Sequence, residues 1–186
     1  MINSIINNIK NPDKEFTPIP FWFLNDELSD SEIVRQLEDF KAKGVDGVVL
    51  HPRIGIPESL EYLSDEFMRF IKTAVKAAKA LEMYIILYDE AMYPSGSAHG
   101  LVVKENPKFA AQAIILTDEE SSGHHIARCK SGKSIVQVRS QGTIRGIHFG
   151  EDDGEKGAPA AADLLSYESV STFIRLTHER YYEVVG

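Results

Sequence analysis

A chain of 186 residues, 43% hydrophobic and 26% charged, has the balance of one soluble globular domain with a real core, which excludes disordered and collagen-like classes. Twenty Lys and Arg against 28 Asp and Glu leave a formal charge of −8, and no basic cluster is dense enough to track a phosphate backbone. No nucleic-acid partner is therefore expected. The first ten residues, MINSIINNIK, lack the charged start and apolar stretch of a signal peptide, and no later apolar run has the length to span a bilayer. The expectation is a cytoplasmic protein with no membrane partner. The single cysteine, Cys129, excludes an internal disulfide and reads as a small buried hydrophobe in a strand-like segment.

Between Pro20 and Glu90 short apolar runs alternate with helical patterns, the signature of βα units and a parallel sheet. The first run is FWFLN, 21 to 25. Ser29 and Glu32 then form a capping box, each able to satisfy the other's orphan amide, and Ile33, Leu37 and Phe40 mark one face of a helix that Gly44 stops. The second run, GVVLHPR from 47 to 53, should end as a strand at Pro52, which has no N–H to donate. Ser64 caps a second helix whose buried face is Phe67, Phe70, Ile71, Ala74, Val75, Ala78 and Leu81. The third run is YIILYDE, 84 to 90.

Beyond Lys108 the pattern becomes alternation, in AAQAIIL, HHIARCK, SIVQVRS and TIRGIHF, with turns at Ser122-Gly123, Ser131-Gly132 and Gln141-Gly142. A small antiparallel β insertion after the third strand follows from it. Residues 150 to 162, GEDDGEKGAPAAA, read as a mobile, solvent-exposed linker in preference to any site. From Ser166, Val170, Phe173, Ile174 and Thr177 return to helical spacing.

All three strands turn polar at the same end: Asn25, Asp26 and Glu27 after the first, His51 and Arg53 on the second, Asp89 and Glu90 on the third. In parallel βα architectures the carboxyl ends of the strands build the active site. If Ile85 and Leu87 face the helices, alternation turns Ile86, Tyr88 and Glu90 toward the opposite face, together with Val49, His51 and Arg53. Glu90 is thus the first candidate for proton transfer, and Asp89 the brace of the following loop. His51 is either a structural donor or a substrate contact, and Arg53 could simply pair with Asp89 or Glu90. Tyr88 and Tyr93 could stack on sugar faces, whereas Trp22 is expected in the core. His51, Asp89 and Glu90 could hold a divalent cation, but no H-x-H or H-E-x-x-H spacing supports zinc, so neither a metal nor a cofactor is assigned.

The stretches PFWFLND, H-P-R-x-G at 51 to 55, YDEAMYPSG, NPKFAAQ and LLSYESVSTFIRLTHERYYEVVG together resemble the N-terminal half of the catalytic barrel of α-L-rhamnosidase-like glycoside hydrolases, over Pro20 to Lys108 and Asp163 to Gly186. The resemblance implies a (β/α)₈ TIM barrel, hydrolysis of an O-glycosidic bond, and substrate contacts from Asn25, His51, Arg53, Asp89 and Glu90; joined with the strand-end reading, the expected site has Glu90 and Asp89 as catalytic carboxylates and Asn25, His51, Arg53, Tyr88 and Tyr93 as substrate contacts. Three βα units are a partial barrel, so the expected division is 1–108 for those units, 109–162 for the insertion and linker, and 163–186 for a helix that precedes a further strand. Glycosidases use two carboxyl groups, and the second is expected beyond Gly186. The fragment alone is then expected to be inactive and to self-associate through open sheet edges. The competing expectation is a non-catalytic carbohydrate-binding or regulatory module. A barrel isomerase or aldolase fits less well, because no glycine-rich phosphate loop and no strand-end lysine is present.

Overall fold

The computed structural model describes residues 2–10, 12–118, 123–140 and 142–186, so the turn positions Ser122 and Gln141 lie outside the described residues. Helix α1 (Ile2–Lys10) precedes an alternating series: β1 (Phe21–Leu24), α2 (Asp30–Ala42), β2 (Gly47–Pro52), α3 (Asp65–Ala80) and β3 (Tyr84–Leu87). The three strands are parallel in the order β1-β2-β3, with Phe21 opposite Val49 and Gly47 opposite Tyr84. A second, antiparallel sheet makes the chain a mixed α/β fold.

Local chemistry sets the helix ends. Ser29 Oγ accepts the Glu32 amide at 3.2 Å, half of the expected capping box. The other half is not formed, because the Glu32 carboxylate binds Arg35 and Gln36 instead, which hold its carboxyl down to about 2. At the other end Gly44 takes φ +78° and the Val45 amide reaches back to the Phe40 carbonyl at 3.0 Å, closing a Schellman turn. Ser64 Oγ accepts the Phe67 amide at 3.2 Å to start α3.

The core lies on one face of the parallel sheet. Trp22, Leu24, Val48 and Leu50 pack there against Ile33 and Leu37 of α2 and Phe67, Ile71 and Ala74 of α3. Burying each such large side chain contributes about 1.5–3 kcal/mol. Trp22 is in this core as expected, its indole N–H donating to Gln36 Oε1 at 2.7 Å. On the opposite face Phe21, Phe23, Tyr84 and Ile86 are between 42% and 56% exposed. β3 stops at Leu87, three residues short of the apolar-to-acidic run read as one strand.

Helix α4 (Leu101–Glu105) leads into β4 (Gln112–Thr117), β5 (His124–Arg128) and β6 (Ser134–Arg139), an antiparallel sheet ordered β4-β6-β5. Cys129 is not a buried strand residue: it sits partly exposed in the β5–β6 turn, where its amide donates to Lys133 O at 2.8 Å. The fourth alternating run, 143 to 149, is not a strand, and only Thr143 makes a bridge, to Ala160. Ile144 and Ile147 are both buried, and their spacing of three cannot serve one face of a period-two strand.

Residues 150–162 are likewise tied down where a mobile linker was expected. Glu151 O accepts the Gly146 amide at 2.9 Å, Pro159 O that of Ile144 at 2.8 Å, and Ala161 O that of Ala111 at 2.9 Å. The C-terminal helix is not uniform either. α5 (Tyr167–Ile174) passes through a π segment (Arg175–Glu179) into α6 (Arg180–Val185). π turns of this kind recur at functional positions. Among the described residues no helix is long and apolar enough to cross a membrane.

Candidate functional site

The chain after β3 wraps around one carboxylate. Glu90 is fully buried; its Oε1 accepts the amides of Ala91 at 2.9 Å and His99 at 2.6 Å, and its Oε2 those of Gly96 at 3.2 Å, Ser97 at 2.9 Å and Ala98 at 2.7 Å. Left-handed backbone at Ala98 (φ 48°) and His99 (φ 54°) helps to turn successive N–H groups inward, the geometry of an anion nest. Burial raises the Glu90 carboxyl above its ordinary range, and the amides of Ala91, His99, Ala98 and Ser97 pull the other way. Glu90 thus braces the loop, a part the sequence reading gave to Asp89 alone, which holds the loop through Ser95.

Asp89 is partly exposed. It accepts the Ser95 hydroxyl and lies 3.2 Å from Nε2 of His178, which the π segment carries. Asp89, His178, Tyr181 and Tyr182 border a cavity of about 340 Å³.

A second cleft, of about 520 Å³, opens at the carboxyl end of β2. His51, Arg53 and Tyr93 line it together with Arg145 and Asp153 from the segment after β6. Tyr93, which precedes a cis Pro94, is 74% exposed and offers an open ring face. Arg53 stacks its guanidinium 4.4 Å from the Phe23 ring centre and not against Asp89 or Glu90. His51 stacks on Tyr88 with ring centres 4.0 Å apart, and its Nδ1 bonds Pro52 O. Of the expected contacts, His51, Arg53 and Tyr93 come together, and Tyr88 backs His51. Asn25 is exposed outside this cleft, in a small groove with Asp26 and Glu27.

Burial lowers the His51 pKa below the ordinary imidazole range, with neighbouring Arg53 a smaller cause. The unfolded chain therefore takes up a proton first, so the contribution of His51 is full above about pH 6.5 and is lost as pH falls through its lowered folded value. Urea midpoints measured at pH 7 and pH 5 are expected to fall further for the parent protein than for His51→Gln. Equal losses would show that His51 is solvated.

Side chains suited to metal gather elsewhere. His51, Asp89 and Glu90 do not form a ligand group, and among the described residues one such group is present: His99, His148 and Glu151. His148 and Glu151 are three apart in sequence, a local signal, but His99 lies far upstream and nothing in the sequence joins it to them.

No protein-family model matches the chain, and no curated protein matches it. A rhamnosidase from Novosphingobium sp. PP1Y is similar in structure, at 16% identity and a TM-score of 0.48 over 66% of this chain. The match spans 12% of the length of that enzyme.

Proposed function

We propose that the chain is the sugar-binding front of a glycoside hydrolase-like (β/α)₈ barrel, with β1 to β3 as its first strands and the exposed Phe21, Phe23, Tyr84 and Ile86 face as the side that further strands cover. The division into 1–108, 109–162 and 163–186 belongs to the same proposal. The observation that carries it is the cleft at the carboxyl end of β2, which Arg53, Tyr93, Arg145 and Asp153 line together. Guanidinium donors and a carboxylate acceptor match the hydroxyls of a sugar, and Tyr93 offers an open ring for its C–H face. The motif set that resembles α-L-rhamnosidase-like hydrolases points the same way. In this reading Asp89 and Glu90 supply carboxyl groups, Asp89 being the one open to solvent.

Calorimetric titration against a panel of monosaccharides and oligosaccharides tests the proposal. Arg53→Ala is expected to weaken the best ligand roughly tenfold to a hundredfold, the loss of a charged hydrogen bond. No binding by the parent protein to any sugar, or equal affinity for the variant, would sink it. A non-catalytic binding module is favoured by one observation: five backbone amides occupy the Glu90 carboxylate. Turnover of an aryl glycoside that Asp89→Asn abolishes would decide for the enzyme, and binding without turnover for the module.

A further inference from the structure

We propose that His99, His148 and Glu151 bind one zinc-class divalent cation, which pins the segment after β6 onto the loops at the strand ends. Their ligand atoms all lie within 4.8 Å of one another. Ligand atoms about 2.1 Å from a tetrahedral ion lie about 3.4 Å from one another, so side-chain movements of roughly 1 Å would close the group around one. The group is also sheltered: His148 is 7% exposed, and the His99 and Glu151 side chains 13% and 17%.

Each ligand is held from behind. The backbone amide of His99 is bound to Glu90 Oε1 at 2.6 Å, and its Nε2 lies 2.8 Å from Glu151 Oε2. His148 Nδ1 lies 2.9 Å from the Ile56 carbonyl, which fixes the proton on Nδ1 and leaves the Nε2 lone pair for an ion. Glu151 Oε2 accepts the His148 amide at 2.9 Å, and a Cβ at position 146 would stand 2.0 Å from that oxygen, so Gly146 is what lets the carboxylate in. Two imidazoles and one carboxylate suit zinc and its late first-row neighbours, with a fourth position for water; calcium and magnesium prefer oxygen ligands throughout.

The competing explanation is a His99–Glu151 ion pair with no metal. The His148 ring separates the two, since it is a ligand for the ion but takes no part in the pair. Chelator-stripped full chain is dialysed against Zn²⁺, with Mg²⁺ and Ca²⁺ in parallel, and bound metal is counted by elemental analysis. One zinc per chain is expected, with a melting temperature higher by on the order of 5–10 °C at a hundredfold excess over Kd. His148→Gln and Glu151→Gln are each expected to weaken zinc at least about a hundredfold in competition with a chromogenic chelator. Sub-stoichiometric zinc, or affinity unchanged in both variants, overturns the proposal. Should either variant fail to fold, Co²⁺ in the parent protein must shift the ring-proton resonances of His99 and His148. Shifts confined to the exposed His124 and His125 overturn it as well.

Discussion

Replacing Glu90 by glutamine is expected to cost about 3–5 kcal/mol of unfolding free energy, one of the two largest effects foreseen for a single substitution in this chain. The carboxylate accepts two amides on one oxygen and three on the other. A glutamine oxygen can keep one of these sets, but its NH₂ then points at the donors of the other. Each buried donor left unpaired costs about 1–3 kcal/mol. Urea unfolding followed by far-ultraviolet dichroism measures the loss. A variant within about 1 kcal/mol of the parent would show that Glu90 does not hold the loop, and intact stability with lost glycoside turnover would return it to the role of proton donor.

The burial of Glu90 among backbone amides shows where sequence reasoning loses its grip. Strand alternation sorts faces only while the strand continues, and β3 stops at Leu87. From there the loop depends on left-handed backbone at Ala98 and His99, residue types that give no warning of it. Before that point caps and periodicities are local and legible: Ser29, Ser64 and Gly44 stand at helix ends, and Phe67, Phe70, Ile71, Ala74 and Ala78 form the buried face of α3, with Val75 and Leu81 only partly buried at its margin. Long-range partners are what local patterns cannot carry. Glu151 sits in an acidic, glycine-rich run and looks solvated, yet its side chain lies 2.8 Å from Nε2 of His99, 52 positions upstream. His178 was one helical residue among many until the π segment set it beside Asp89.

The glycine of the H-P-R-x-G stretch has a similar hidden reason, and it makes Gly55→Ala the other large effect expected. Gly55 takes φ +121°, and a Cβ there would stand 2.2 Å from the Asn25 carbonyl oxygen and 3.0 Å from its carbon. Neither side has slack. Arg53 N donates to Leu24 O at 2.9 Å, tying the ends of β1 and β2 together beside the clash. The amides of Gly55 and Ile56 both donate to Ile147 O, at 3.0 and 3.2 Å, so moving Gly55 also disturbs the segment that brings Arg145 to the cleft. Backbone strain of about 1–3 kcal/mol adds to an overpacking cost of about 1–3 kcal/mol, and about 3–5 kcal/mol of destabilisation is expected. Gly132→Ala is the control: φ is +91° but nothing lies within 4 Å of its Cβ, so it carries the strain alone, about 1 kcal/mol. Parallel urea titrations of the two variants compare strain with strain plus contact. Equal losses would mean that the Asn25 carbonyl does not press on Gly55, and the close approach that joins the first two strand ends would have to be given up.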